Sequence, residues 1–283
     1  MVYLKTLNCV ALAYGLGSIK SAQLLNNGKT STTWQVKTVS GQFIIKTTKS
    51  SYQANLEFAI GNAVRKINSN LTPEILLSEE NEPFFLIDDK VYQVQLFLEG
   101  TKMQPSLQGA VKSCRQMRIA LDSFDNSFSP TDSNPLLALW FAQKDALLKQ
   151  QPLLFQQIMT FLPELKHIDK ANEVWIHGDL GKWNLLVTET KRVAIIDFGE
   201  SRRGPRFMDD AALFQGFMPD NPQDFPAYLN EFLALSGIPF TNCHDFLMTA
   251  LLWLVKGLLI AIGEQSSLSD VFQNEIAFVV QRV

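Results

Sequence analysis

Polar side chains that suit metal and proton-transfer chemistry are gathered in residues 176–201, IHGDLGKWNLLVTETKRVAIIDFGES. The first apolar run delivers Asp179 and Asn184, and the second delivers Asp197 at its end. A turn at residues 188–191 would fold the two runs into a hairpin and bring Asn184 and Asp197 together. Hard divalent cations take oxygen ligands, and a carboxylate that is off the metal can accept a hydroxyl proton. The segment therefore predicts a metal held by Asn184 and Asp197, with Asp179 as the catalytic base.

The elements that must position these residues differ between the two halves of the chain. Before Gly100, TSTTWQVKT and GQFIIKTT predict a hairpin around VSG, and EPFFLIDDKVYQVQLFLEG predicts two more strands. Between them, SYQANLEFAIGNAVRKI has the spacing of an amphipathic helix. Beyond Gly100 the pattern is helical, apart from the hairpin above. We therefore predict an α+β protein of two lobes, with a small antiparallel sheet in residues 1–98 and a larger, mostly helical lobe in residues 99–283.

Composition narrows the class of protein. The chain has 283 residues, 46% of them hydrophobic, which is enough for a large core. The net charge of −3 argues against a nucleic-acid partner. The three cysteines are far apart and form no C-x-x-C pair, which argues against disulfides or zinc and favours a cytoplasmic location.

One apolar run raises the question of a membrane. FLMTALLWLVKGLLIAIG, residues 246–263, is long enough for a span, but Lys256 near its middle would be costly in lipid. We predict a core helix with Lys256 at its solvated edge and no membrane partner. The N-terminal residues lack the cleavage pattern of a signal peptide.

The motifs resemble those of a known group of enzymes. HGDLGKWN fits the H-x-D-x-x-x-x-N catalytic loop of protein-kinase-like enzymes, and DFG fits their metal-binding triplet. His-Gly-Asp in place of His-Arg-Asp, with GPRFMDDAALF downstream, resembles the aminoglycoside phosphotransferase and choline kinase branch. The resemblance implies a two-lobe protein-kinase-like fold and an ATP- and Mg²⁺-dependent kinase. Its acceptor would be a hydroxyl of a small molecule such as an aminoglycoside, an amino alcohol or a sugar.

The resemblance also assigns residues in the N-terminal half. Lys46 ends FIIK, where these kinases place the lysine that contacts nucleotide phosphates. Glu57 follows in the next predicted helix, where these kinases place the glutamate that pairs with this lysine. Both are assigned to cofactor binding. Without the catalytic motifs further on, Lys46 would be an ordinary strand-end lysine and Glu57 a solvated helix residue.

The rest of the nucleotide site is less distinctive in sequence. The covering loop, LLNNGKTSTTWQV, has one glycine where the kinase motif has three, and we assign Gly28 and Ser31 to phosphate contact. YQVQLFLEG falls at the interlobe hinge, where the backbone of Gln95 and Phe97 would bind adenine. An ordinary polar hairpin is the alternative interpretation of the covering loop.

Residues around the catalytic loop receive supporting roles. Lys182 stands where many members of the branch have His-Pro, and it is either a catalytic cation for the transferred phosphate or a solvated lysine. We predict that the imidazole of His177 hydrogen-bonds to the backbone near Asp197 and so fixes the catalytic loop. Asp209 would brace the loop, and Asp210 would cap the following helix.

The acidic C-terminal part leaves the acceptor's charge open. From Phe207 onward there are 9 acidic and 2 basic residues. This field would attract a cationic acceptor, or it is a solvated surface that keeps the protein soluble. Asp220, Asp224 and Asp245 are the candidates for the first interpretation.

Two alternative functions stay open at this stage. A protein kinase is disfavoured because the long activation segment and its Ala-Pro-Glu end are missing. A catalytically inactive nucleotide-binding module is disfavoured because Lys46, Asp179, Asn184 and Asp197 are all present.

Overall fold

The N-terminal part is built on an antiparallel sheet with the strand order β1-β2-β3-β5-β4. The computed structural model describes residues 2–27, 31–101, 104–124, 128 and 135–283. The strands are β1 (Ser21–Asn27), β2 (Thr32–Lys37), β3 (Gln42–Thr48), β4 (Phe85–Ile87) and β5 (Lys90–Leu96). The two hairpins that the sequence predicts, β2-β3 and β4-β5, are both formed.

Alternation along the strands gives this sheet two different faces. One face carries buried apolar side chains and packs against helix α1 (Val2–Ala13). The apolar residues of this small core are Trp34, Val36, Phe43, Ile45, Tyr92 and Val94. The other face carries Lys46 and lies toward helix α2 (Ser51–Ile67) and the cleft between the lobes. Helix α2 begins where the Ser50 side chain accepts the backbone N–H of Gln53 at 3.1 Å, which is an N-cap.

The C-terminal part is mainly helical and packs around one long central helix. Its helices are α3 (Leu107–Asp122), α4 (Leu136–Gln150), α5 (Pro152–Asp169), α6 (Met208–Gly216), α7 (Phe225–Ser236), α8 (Cys243–Gly263) and α9 (Leu268–Val280). Helix α8 contacts α4, α5, α6 and α9. Four fully buried phenylalanines, Phe214, Phe225, Phe232 and Phe246, bring α6, α7 and α8 together.

Two small sheets interrupt the helices and carry the predicted site. Their strands are β6 (Gly100–Thr101), β7 (Val174–Ile176), β8 (Leu185–Thr188), β9 (Val193–Ile195) and β10 (Arg202–Gly204). Strands β6, β8 and β9 form one sheet, and β7 pairs with β10 in the other. The predicted α+β, two-lobe, protein-kinase-like fold is confirmed. The division at residues 98 and 99 stays a prediction, although β6 already pairs with β8.

The position of Lys256 differs from its prediction. By length and composition residues 240–263 would qualify as a membrane span, and 78% of the apolar window is buried inside the protein. Lys256 is not at a solvated edge, because its ammonium group lies 3.0 Å from Asp169 and both side chains are 9% exposed. The pairing with the end of α5 explains how a lysine is tolerated in the middle of a core helix.

Candidate active site

The hairpin β8-β9 brings Asn184 and Asp197 to the same end, as the sequence predicts. Leu185 pairs with Ile195 in the antiparallel register, so the residues just outside the strands are neighbours. The backbone N–H of Ile196 then donates to the carbonyl of Asn184 at 3.0 Å. Local strand pairing alone therefore places these two oxygen-bearing side chains at one edge of the cleft.

Lys46 joins the two lobes through ionic contacts. Its ammonium group contacts Glu57 on α2 and lies 3.2 Å from Oδ1 of Asp197. Burial alone would lower the pKa of Lys46, but the negative charges of Glu57 and Asp197 outweigh it and raise the pKa. Lys46 therefore stays a cation next to the cleft, where a phosphate group could contact it.

Asp197 is held in an unusual conformation at the cleft. Its φ is +63°, in the left-handed region that non-glycine residues seldom adopt. Its side chain is 48% exposed, whereas that of Lys46 is 6% exposed. The positive charge of Lys46 lowers the pKa of Asp197, against the opposing effect of burial. An ionised carboxylate thus faces the cleft, and such strain is common where function requires it.

Asp179 lies beside this pair and receives two side-chain hydrogen bonds. Trp183 Nε1 and Asn184 Nδ2 each donate to Oδ2 of Asp179 at 3.1 Å. Burial raises the pKa of Asp179, against the opposing effect of these hydrogen bonds. The carboxylate is oriented, and its raised pKa improves it as a proton acceptor.

The oxygen atoms of the side chains at this edge of the cleft suit the coordination of a magnesium ion. Asn184 donates its amide N–H groups to Asp179, which leaves Oδ1 of Asn184 available as a ligand. Asp197 adds a half-exposed carboxylate. In the described part of the chain no group of three or more His, Cys, Asp or Glu side chains is placed to hold a metal. Phosphate oxygens and waters would therefore have to complete the shell, which is the usual mode for Mg²⁺.

Two buried side chains fix the catalytic loop from behind. His177 Nε2 donates to the carbonyl of Ile196 at 3.0 Å, while His177 Nδ1 accepts the N–H of Asp179 at 3.3 Å. Asp209 accepts the backbone N–H groups of His177 at 2.7 Å and Gly178 at 2.9 Å. These are the contacts that the sequence predicts for His177 and Asp209. They fix the backbone that carries Asp179.

Gly178 and Asp210 show what the sequence does not reveal at this loop. Gly178 has a φ of +83°, and a Cβ there would collide with the carbonyl of Glu200 and the guanidinium of Arg202.

Asp210 does not cap helix α6, which corrects the prediction. It is buried and pairs with Arg118 at 2.7 Å. Burial raises the pKa of Asp210 to about 6, against the opposing effect of Arg118.

A cavity of about 540 Å³ opens between the lobes, and we call it the nucleotide-side cavity. Lys46, Asn184 and Asp197 line one part of it, and residues 95–98 line another. A narrower cavity of about 80 Å³ continues from Lys46 past Ser31 to Asp179. Ser31 is thus brought to the predicted site, whereas Gly28 lies outside the described residues.

At the interlobe hinge, the structure corrects the prediction for Phe97 and adds Leu98 to the candidate site. The N–H of Phe97 donates to the carbonyl of Gln42 at 3.2 Å, so it is not available to a base, although Phe97 lines the cavity. The next residue along, Leu98, lines the cavity too, and its N–H has no backbone partner among the described residues. Sequence reasoning missed Leu98 because the local pattern does not show which hinge N–H groups the sheet uses.

A second cavity, of about 350 Å³, lies on the other side of the catalytic loop, and we call it the acceptor-side cavity. Asp179 and Trp183 from the loop form one wall, and α8 and α9 supply much of the rest. Its charged lining residues besides Asp179 are Glu200, Arg202, Lys256 and Glu264. Sequence reasoning missed these four residues because they come from separate segments.

Asp220, Asp224 and Asp245 are not part of this wall, which corrects their selection as acceptor-facing acids. Lys182 also lies apart from the catalytic-site carboxylates of Asp179 and Asp197. Its ammonium lies over the ring of Phe217, 4.4 Å from the centroid, and it lines neither large cavity. Burial lowers the pKa of Lys182, against the charges of Asp220 and Glu275. The catalytic interpretation of Lys182 therefore lacks geometric support.

The fold and the placement of Lys46, Asp179, Asn184 and Asp197 define a kinase-like phosphotransferase architecture. The sequence profile of the phosphotransferase enzyme family, APH, matches residues 21–241. The chain belongs to this family, as its motifs predict. No curated protein sequence matches it at a significant level.

Solved structures agree on the fold at low sequence identity. An aminoglycoside phosphotransferase from Alicyclobacillus acidocaldarius subsp. acidocaldarius is 18% identical, with a TM-score of 0.65 over 96% of this chain and 92% of that chain. Spectinomycin phosphotransferase APH(9)-Ia, in complex with ADP and spectinomycin, is 16% identical, with a TM-score of 0.62 over 99% and 98%. APH(2")-IIIa, in complex with GDP and kanamycin, is 14% identical, with a TM-score of 0.68 over 98% and 97%.

Proposed function

We propose that this protein is an ATP-dependent phosphotransferase that moves the γ-phosphate to a hydroxyl of a small molecule. One observation carries the proposal. Asp179 lines both the narrow cavity that continues from Lys46 and the acceptor-side cavity. A carboxylate shared by two cavities is placed to act on two ligands, one from each side.

The chemistry follows from the positions of the side chains. Lys46, oriented by Glu57, would hold the nucleotide phosphates, and Asn184 and Asp197 would hold magnesium. A magnesium ion held by these two residues would supply positive charge that offsets the charge of the phosphates. Asp179 would orient the acceptor hydroxyl and take its proton while the oxygen bonds to the γ-phosphorus. The bond to the β–γ bridging oxygen breaks, and the nucleoside diphosphate leaves with that electron pair.

The remaining site residues would act by positioning the catalytic loop and the nucleotide. His177 and Asp209 would keep the loop in place while ligands bind, because they hold its backbone and line neither the nucleotide-side nor the acceptor-side cavity. Ser31 would contact phosphate from the covering loop, and Gln95 and Leu98 would contact the base. Positioning and charge stabilisation would then supply most of the acceleration, as is usual for phosphoryl transfer.

The acceptor-side cavity supports a small acceptor. A volume of about 350 Å³ is at the low end of small-molecule sites. An aminoglycoside, an amino alcohol or a sugar-like alcohol remains the proposed class. Within this class, a cationic acceptor is favoured by Glu200 and Glu264 in the wall and disfavoured by Arg202 and Lys256. A cytoplasmic location is proposed from the three cysteines, which are all free.

The direct test measures nucleoside diphosphate release. The purified protein is mixed with Mg·ATP and each member of a panel of hydroxyl compounds, with Asp179→Asn as the matched inactive control. We expect release that requires one class of acceptor and is lost in the variant. Nucleotide binding with no release across the panel would favour the inactive module, and phosphorylation of protein substrates alone would favour a protein kinase.

A further inference from the structure

The cleft face of the N-terminal sheet presents its polar side chains in two rows. The strand register aligns Thr33 with Lys46 and Lys46 with Gln93, which makes one row across β2, β3 and β5. The neighbouring row on the same face contains Gln35, Ile44 and Gln95. Two residues along a strand span about 7 Å, so the Gln95 row lies that far from the Lys46 row, on the side of the hinge.

The environment of Gln95 is unusual for a carboxamide. Gln95 is 8% exposed and lines the nucleotide-side cavity. Around it the wall is mostly apolar and includes Ile44, Leu96, Leu98, Leu186 and Ile196. A buried amide without a partner costs free energy, so such a group normally has one.

Two other glutamines on this face, Gln93 and Gln35, each donate a side-chain hydrogen bond within the protein, although Oε1 of Gln93 is buried without a partner among the described residues. Gln93 Nε2 donates to the carbonyl of Ala54 at 3.1 Å, and Gln35 Nε2 donates to Oε1 of Gln42 at 3.0 Å. The side chain of Gln95 makes no hydrogen bond to another residue in the described ranges. The polar end of Gln95 is therefore left for a molecule in the cavity.

The orientation of a nucleotide in this cavity is set by its phosphate end. This step rests on the proposed function. With the phosphates held by Lys46 and by a magnesium ion at Asp197, the base would extend toward residues 95–98, and its edge would meet Gln95. Adenine and guanine differ at position 6 of the ring, where adenine has an amino donor and guanine has an oxygen acceptor.

We propose that the Gln95 carboxamide hydrogen-bonds position 6 of the purine and that the protein accepts both ATP and GTP. A carboxamide carries an acceptor and a donor at nearly the same place and exchanges them by a half turn. The oxygen of Gln95 serves adenine, and its amino group serves guanine. Gln95 is thus a residue that sets nucleotide specificity through its side chain, in addition to the hinge backbone.

The test measures nucleotide affinity, so it does not depend on knowing the acceptor. Fluorescent N-methylanthraniloyl ADP and GDP are titrated into the full-length protein with Mg²⁺ at pH 8. We expect dissociation constants within about tenfold of each other for the wild type. Gln95→Glu keeps the acceptor and loses the donor, so it should weaken GDP at least about tenfold more than ADP, the size expected for one unpaired polar contact.

Two further variants separate this effect from a loss of folding. Gln95→Met removes both hydrogen-bonding groups and should weaken the two nucleotides by similar factors. Gln23→Glu makes the same chemical change at an exposed position on β1 and should leave the ratio unaltered. A wild type that prefers one base more than about 100-fold, or a Gln95→Glu protein with an unchanged ratio, overturns the inference alone. Failure of the wild type to bind either nucleotide overturns the proposed function as well.

Discussion

The two cavities that meet at the catalytic loop contain charged side chains in different arrangements. In the nucleotide-side cavity, Lys46 contacts the buried carboxylate of Glu57 and the half-exposed carboxylate of Asp197. On the acceptor side, opposite charges are interleaved. Glu200 lies 2.5 Å from Lys49, and Lys256 lies 3.0 Å from Asp169.

The difference shows how each cavity would select its ligand. A half-exposed carboxylate next to a buried cation leaves charge available to a metal and to phosphates. Interleaved charges that already have partners produce little net field. We therefore expect charge to dominate binding on the nucleotide side, and shape and directed hydrogen bonds to dominate on the acceptor side.

Removing the proposed base, which lines both the narrow cavity and the acceptor-side cavity, should have the largest effect. Asp179→Asn keeps the size of the side chain but removes the proton acceptor, so kcat should fall by roughly 10²–10⁴-fold. Steady-state kinetics with the acceptor found by the panel measures it, and the dissociation constant for Mg·ATP should change little. Full turnover in this variant would contradict the assignment of Asp179.

Removing the proposed metal ligand, Asp197, should affect the nucleotide side alone. Asp197→Ala takes a carboxylate from magnesium, and we expect the enhancement of ATP binding by Mg²⁺ to fall by roughly 10–100-fold, as for loss of one charged contact. Titrations with and without Mg²⁺ measure it. Asp224→Ala, at an exposed position, is the control. An undiminished magnesium effect in Asp197→Ala would show that Asp197 is not a ligand.

Filling the other cavity should affect the acceptor alone. Ala261 is buried in its wall, and Ala261→Phe should raise KM for the acceptor by about tenfold, because lost pocket contacts cost one to a few kcal/mol. The affinity for Mg·ATP reports whether the variant is folded. Val271→Phe adds the same ring at an exposed site on α9 outside the wall. Equal changes in acceptor and nucleotide binding would contradict the separation of the two cavities.

Trp183 lines both cavities, and its effect should appear in the pH dependence. Burial raises the pKa of Asp179, whereas the hydrogen bond from Trp183 lowers it. A base must be deprotonated, so kcat/KM should fall as the pH drops through this pKa. Trp183→Phe removes the lowering contact and should move that limb to higher pH. Trp140→Phe, in the core, is the control, and a limb that moves to lower pH would contradict the role of Trp183.

The smallest expected effect is that of salt on acceptor use. Because the acceptor-side wall carries charges of both signs, and Glu200 and Lys256 already have partners of opposite sign, kcat/KM for the acceptor should change less than about threefold between roughly 50 and 500 mM salt, where screening becomes strong. Measuring the profile at saturating Mg·ATP isolates this side. A steep loss of efficiency would favour a steered cationic acceptor after all.

The sequence by itself predicted the parts of the site that lie close together along the chain. The spacing of Asp179, Asn184 and Asp197 fits one loop and one hairpin, and strand pairing then requires Asn184 and Asp197 to meet. The order of Lys46 and Glu57 fits a strand followed by a helix, and their contact is present. These predictions succeed because local geometry limits where neighbouring side chains can go.

Only the tertiary structure decided the contacts between distant segments. Asp210 pairs with Arg118 and does not cap a helix, Lys256 is buried beside Asp169, and Lys182 lies over Phe217. The acceptor-side wall likewise draws on the catalytic loop, β10, α8 and α9. The charge of a residue is written in the sequence, but its partner depends on how helices pack. Packing is set by many weak contacts across the whole core, and no local pattern specifies them.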